Sequence, residues 1–176
     1  MRRIILCLSL LVLGAAAARA DVLGEARAGK LQCYEPDVQR KTCRGLFRTV
    51  VKPDGTATSG GDVLLNVVNG NSVLIMRSPQ SSVTIKGNMT CGPIRRSDIE
   101  DAEFLLDGKP VNAASDRRMK DDMEARQAAR GGQTECSVFT PAGDTWVVTD
   151  TLDGKPQPNS AHMIWVGPAD GYKVAP

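Results

Sequence analysis

Two apolar runs flank Asn69-Gly70: Val63-Leu64-Leu65-Asn66-Val67-Val68 before it and Asn71-Ser72-Val73-Leu74-Ile75-Met76 after it. An Asn-Gly pair tolerates the positive φ that both central positions of a type I′ turn need, and the twist of that turn suits two antiparallel strands. The runs therefore read as a hairpin with Val68 opposite Asn71. That register puts Val63, Leu65, Val67, Leu74 and Met76 on one face and Leu64, Val68, Val73 and Ile75 on the other with Asn66 and Asn71. Both faces are apolar, so the hairpin is expected at the centre of a sheet, with the remaining segments paired beside it or packed over it.

Upstream, Leu31 to Tyr34 reads as a short strand stopped by Glu35-Pro36-Asp37, because proline fixes φ and lacks a ladder donor. Cys43 to Val51 is a second strand, and Thr56 to Gly61 reads as a polar, flexible loop. Residues 21–30 carry two glycines and read as a loosely attached start. Downstream, Ser78-Pro79-Gln80 reads as a turn into a one-sided strand. There Val83, Ile85, Met89 and Cys91 share the apolar parity, and Cys91 is expected to point inward.

Leu106-Asp107-Gly108-Lys109-Pro110 recurs as Leu152-Asp153-Gly154-Lys155-Pro156, which reads as two hairpins using the same Asp-Gly turn. Between them lies the one long helix, expected at Ala113 to Arg130, capped by Asn112 or Ser115 and stopped by Gly131-Gly132. Asp116 with Lys120, Asp122 with Arg126 and Arg117 with Asp121 are four apart and support its surface. Its apolar stripe is thin, resting on Met119 and Met123. Strands at Thr134 to Thr140, Thr145 to Leu152 and Ala161 to Val166 follow, and Lys173 to Pro176 reads as a short tail that Tyr172 is placed to pin.

Arg2-Arg3, an apolar run from Ile4 to about Ala18, and Ala18-Arg19-Ala20 match a secretory signal peptide over residues 1–20, so the mature chain is expected to begin at Asp21. The run is shorter than the ~20 residues needed to span a bilayer, and no later segment is long enough. Loss of Arg2, Arg3 and Arg19 leaves 19 Lys plus Arg against 20 Asp plus Glu, a net charge of −1. That balance argues against a nucleic-acid surface or a cationic membrane binder. Residues 21–176 suit one domain.

Cys33, Cys43, Cys91 and Cys136 survive cleavage, an even number in a small exported chain, which reads as two disulfides with three possible connectivities. Zinc is the rival, but its ligand pairs usually sit within two to four residues, whereas the nearest pair here is ten apart. We expect Cys33 with Cys43, stapling the opening hairpin, and Cys91 with Cys136, tying the one-sided strand to the strand after the helix.

Chemistry-bearing residues are few. His162 is the one histidine, and a hydrolase would need it beside a nucleophile such as Ser160 or Ser137 and a carboxylate such as Asp150. No Gly-x-Ser-x-Gly elbow is present, and a lone His in a strand is more often a hydrogen-bonded structural residue. Asp121-Asp122 and Asp98-Glu100-Asp101 would serve a glycosidase only if they converged in a cleft. Phosphate-loop, dinucleotide and calcium-loop signatures are missing, so no cofactor is expected. Asp150-Thr151-Leu152-Asp153-Gly154 lacks the alternating oxygen ligands of a calcium site. Tyr34, Trp146, Trp165 and Tyr172 serve either a binding patch or the core.

Cys33-Tyr34-Glu35-Pro36-Asp37 with Lys41-Thr42-Cys43, and Ile164-Trp165-Val166 with Asp170-Gly171-Tyr172, resemble the two ends of small uncharacterised exported proteins of Gram-negative bacteria. The resemblance spans Cys91 and Cys136 and implies periplasmic residence and disulfides, with no reaction attached. The expected fold is a single α+β domain: a mainly antiparallel sheet of about seven to nine strands around residues 63–76, with one longer helix packed on a face and two disulfides. The expected function is a non-enzymatic binding or interaction module of the bacterial envelope, its partner an envelope protein or a small ligand. A small periplasmic hydrolase using His162 is the alternative.

Overall fold

In the computed structural model, which describes residues 22–68 and 70–176, the sheet closes on itself. The expected signal peptide, Asp21 and Asn69 of the central turn lie outside the described residues. After helix α1 (Val22–Arg27), the strands are β1 (Leu31–Tyr34), β2 (Thr42–Cys43), β3 (Gly45–Val51), β4 (Ala57–Val68), β5 (Ser72–Lys86) and β6 (Met89–Pro93). Helix α2 (Ser97–Glu100), hairpin β7 (Glu103–Leu106) and β8 (Lys109–Pro110), and helix α3 (Ala113–Gln127) form one insertion. Then come β9 (Thr134–Ala142), β10 (Thr145–Leu152), β11 (Lys155–Val166) and β12 (Lys173–Val174).

Eight strands form an antiparallel ring in the order β1, β3, β4, β5, β6, β9, β10, β11, and β11 pairs back onto β1 with Leu31 opposite Val166. This overturns the expected α+β domain with a helix packed on a face. A closed barrel has no sheet edges and turns its apolar face inward, so no open face remains for a helix to cover. Helix α3 accordingly buries none of its residues, and Met119 and Met123 are only half-buried. It is capped as expected, Asn112 Oδ1 accepting from the Ser115 N–H at 2.9 Å. Its last turn tightens to a 3₁₀ turn at Ala128–Arg130, and of the three expected surface pairs only Asp116 with Lys120 closes, at 3.1 Å.

Barrel closure also explains two misread stretches. Thr56 to Gly61 is not a loop: β4 begins at Ala57 and runs for 12 residues. β5 continues for 15 residues straight through Ser78-Pro79-Gln80. Ser59 faces Ser81 while Gly61 faces Ser78, so β5 bulges at Pro79-Gln80, the setting in which a strand accommodates proline. A Cβ on Gly60 would collide with the Pro79 carbonyl, and one on Gly61 with the Leu46 carbonyl. The glycines that read as flexibility permit close strand approach where the wall bends.

The central hairpin exists, shifted by one residue from the expected register beside the turn and in the expected register beyond Leu65. Val68 faces Ser72, and a bulge at Leu65 places Leu64 opposite Ile75 and Val63 opposite Met76. Val63 and Met76 keep a common face as expected, whereas Leu65 leaves the ladder and is exposed. The strand expected across residues 83–91 is two strands, β5 and β6, joined tightly at Gly87-Asn88 with Lys86 opposite Met89 and Ile85 opposite Thr90. That reversal exchanges the parity. Val83, Ile85 and Thr90 face in, whereas Met89 and Cys91 face out.

Two disulfides join Cys33 to Cys43 and Cys91 to Cys136. Cys91 and Cys136 lie directly opposite on β6 and β9, on the outer wall. Cys33 and Cys43 are fully buried with Val166 in a small core outside the barrel wall, flanked by Leu46, Ile164 and Tyr172. The C-terminal segment is therefore no loose tail. β12 pairs in parallel with β2, and Lys41 Nζ donates to the Asp170 carbonyl at 2.9 Å. Nor is the start loosely attached, because Val22 and Ala26 of α1 are buried. Among the described residues no helix is long and apolar enough to cross a membrane.

Candidate functional site

The barrel interior divides into a filled end and a hollow end, and side-chain size decides which is which. Toward α1, Phe139, Trp146, Val148 and Met163 point inward and pack around Val22, with Tyr34 and Trp165 against them. At that level the barrel is a dry core. Further along, the inward positions are Ser59 on β4, Ser78 and Ser81 on β5, Thr90 on β6 and Ser137 on β9. An eight-stranded barrel is just wide enough for large side chains to fill, so a ring of hydroxyl residues leaves space. The result is a cavity of about 420 Å³.

Its wall mixes apolar side chains with hydroxyl, amide and carboxylate groups, several of which are bonded to one another. Gln32 and Thr49 are each 3% exposed, with the Thr49 hydroxyl 3.4 Å from Gln32 Oε1 and 3.2 Å from Ser59 Oγ. Ser137 Oγ donates to Asp150 Oδ1 at 2.7 Å, and Ser81 Oγ donates to Asp98 Oδ1 at 2.5 Å. Tyr34 and Phe47 meet edge to face, centroids 5.5 Å apart, and both line the cavity. Burial pushes the Tyr34 hydroxyl well above the usual phenol pKa, and the negative charge of Asp150 adds to the shift.

The insertion between β6 and β9 supplies the rim. Ile94, Arg95, Asp98 and Ile99 line it from the α2 side, and Met123 and Gln127 from α3. Arg96 ties the two helices together, reaching Glu124 at 2.9 Å, and Arg130 pairs with Glu135 at 2.7 Å. The thin apolar stripe of α3 thus has a use: Met123 contributes to a cavity mouth instead of a core.

The hydrolase constellation is not assembled. Ser137 and Asp150 are brought together inside the barrel, but His162 is exposed on the outer wall, its backbone N–H donating to Glu35 Oε1 at 2.8 Å. Inward-facing Met163 follows it along β11, so strand alternation separates the imidazole from Asp150. Ser160 is likewise exposed. Of the acidic clusters, Asp98 reaches the cavity while Glu100, Asp101, Asp121 and Asp122 are exposed. Asp153 belongs to a turn. Tyr34 lines the cavity, Trp146 and Trp165 belong to the filled end, and Tyr172 covers the Cys33–Cys43 cluster.

Sequence reasoning missed Gln32, Ser59, Ser78 and Ser81 as site residues. Gln32 lies in a stretch read as a strand, and the three serines lie at or beside stretches read as loop or turn, so none carried a periodic signal. Comparison of the chain with protein-family models, with curated proteins and with solved structures finds no match. The site is therefore read from its own geometry.

Proposed function

We propose that this is an exported, non-enzymatic binding protein of the bacterial envelope that holds one small polar ligand in the hollow end of its barrel. The observation that carries the reading is the 420 Å³ cavity at one end of the barrel, lined by hydroxyl and charged groups beside aromatic and aliphatic side chains. Ligand sites are concave, roughly 300–1,000 Å³, with a few placed polar groups that fix orientation. Closed barrels of eight strands are just large enough to hold one small molecule.

Two disulfides support residence in an oxidising compartment. The outer wall carries Arg48, Arg77, Lys86 and His162, all exposed, and Arg77 forks onto Asp62 at 2.9 and 3.2 Å. Such a wall suits water better than the apolar band of a membrane barrel.

The test uses oxidised protein and a panel of small polar metabolites from envelope extract, read by thermal shift and native mass spectrometry. Ser59→Phe, which fills the cavity from β4, serves as the comparison after circular dichroism has checked its fold. Panel members that stabilise the wild type and lose their effect in Ser59→Phe support the reading. Equal effects on both proteins, or no binding by any member, overturn it.

A further inference from the structure

The cavity holds three carboxylates, Asp98, Glu135 and Asp150, against two guanidinium groups, Arg95 and Arg130. Their environments differ. Glu135 is neutralised by Arg130 at 2.7 Å, and Asp98 stands at the rim on α2 beside Arg95. Asp150 lines the cavity from near the C-terminal end of β10 and forms no ion pair among the described residues. It accepts the Ser137 hydroxyl, which uses one of its roughly four lone-pair sites. Asp150 is half-buried, and a carboxylate that lines a cavity without a cationic partner leaves a place for a ligand that supplies the cation.

The surroundings select the kind of cation. A metal ion would want several oxygen ligands converging on one point, and among the described residues no group of three or more His, Cys, Asp or Glu side chains is placed to hold one. Instead, the same cavity presents the edge-to-face rings of Tyr34 and Phe47 with Met76 nearby, and the uncharged acceptors Gln32 Oε1, Ser59 Oγ and Ser78 Oγ. Aromatic faces attract organic cations, and neutral oxygens take the remaining ammonium N–H groups.

We propose that the hollow end of the barrel binds a small organic ammonium ion, its N–H groups on the Asp150 carboxylate and its carbon skeleton against the Tyr34–Phe47 pair. This rests on the cavity-binding reading above and names the ligand class for that same cavity. Asp150 supplies the charge selection, and the rings and Met76 supply apolar contact.

The experiment is calorimetric titration of the oxidised protein with three probes of like shape: phenethylamine, 2-phenylethanol and 3-phenylpropanoate. The amine is expected to bind about tenfold tighter than the alcohol, with the carboxylate weakest, the size of effect that one partly buried charge pair supplies. In Asp150→Asn, which keeps the shape and the acceptor for Ser137, the amine should lose its advantage over the alcohol. Equal binding of amine and alcohol by the wild type, a preference for the carboxylate, or an unchanged preference in Asp150→Asn overturns the proposal, as does absence of saturable amine binding. The wild-type comparison decides even if Asp150→Asn fails to fold. The metabolite panel with Ser59→Phe separately judges the cavity, so an amine site can fail while the ligand-binding reading stands.

Discussion

Asp153 and Thr134 exchange two hydrogen bonds: the Asp153 N–H donates to the Thr134 carbonyl at 2.8 Å, and the Thr134 N–H donates to Asp153 Oδ1 at 2.8 Å. Asp107 and Val73 do the same at 3.0 and 2.8 Å. Both aspartates have positive φ, 48° and 51°, and each precedes a glycine in a hairpin turn. There the backbone leaves the sheet plane, so the aspartate's own carbonyl cannot complete the ladder, and its carboxylate substitutes. The repeated Leu-Asp-Gly-Lys-Pro is thus one turn used twice, each time clamped to the neighbouring strand.

Asp153→Ala removes an acceptor and places a less tolerant residue at positive φ, so it should cost about 1–2 kcal/mol. Asp153→Asn keeps both properties and should cost less than about 0.5 kcal/mol, as read by urea denaturation. Asp107→Ala should cost less than Asp153→Ala, because its clamp serves the appended β7–β8 hairpin and not the barrel ring. The reverse order would contradict the roles given to the two turns.

Tyr34 makes stability fall at alkaline pH. Its folded pKa is raised, so below the unfolded value of about 10 both states are protonated and the contribution is complete. Above that value the unfolded chain loses the proton first, and stability drops by up to ~1.4 kcal/mol per pH unit until the folded value is reached. Tyr34→Phe should flatten the fall in urea midpoint between pH 10 and 12, values chosen to bracket the phenol range. Parallel curves for the two proteins would show that Tyr34 ionises freely in the fold.

The two disulfides should rank against their loop lengths. Sequence separations of 10 and 45 correspond to about 3 and about 4 kcal/mol of loop-closure entropy, which favours Cys91–Cys136. Cys33 and Cys43, however, are 0% exposed within a packed cluster, whereas Cys91 and Cys136 are half-buried on the wall. Replacing the first pair by alanine also opens a cavity, worth about 2 kcal/mol more. We therefore expect Cys33→Ala/Cys43→Ala to be the less stable double variant by about 1 kcal/mol, measured by denaturant titration of each against the wild type.

Phe139→Ala empties the centre of the filled end, where Phe139 is 0% exposed, and should cost about 3–5 kcal/mol. Val22→Ala, on the helix that caps this end, should cost less but still lower the melting temperature of the whole barrel. Unchanged melting in Val22→Ala would mean that α1 adds nothing to the core.

Local chemistry is legible in residues 31–34, 45–51 and 145–152, where strands follow from alternation and turn residues, and in α3, whose Asn112 cap and glycine stop are short-range signals. The expected cysteine pairing, Cys33 with Cys43 and Cys91 with Cys136, is the one the structure contains. The cavity was not legible. Its residues, Ser59, Ser78 and Ser81 among them, take their meaning from which way a strand faces, and a bulge at Leu65, another at Pro79-Gln80 and the tight turn at Gly87-Asn88 each reset that parity.

The sequence by itself determined the strand cores at residues 31–34, 45–51 and 145–152, the capped helix and the Asp-Gly turns, because these depend on φ preferences and on hydrogen bonds between near neighbours. Only the tertiary structure decided that the sheet closes. Closure depends on Leu31 meeting Val166 across 135 positions and on Gly60 and Gly61 admitting neighbouring backbone, neither of which leaves a periodic signal. Once the ring is shut, inward serines become a cavity, Asp150 becomes an interior charge, and His162, one strand away, is turned to solvent.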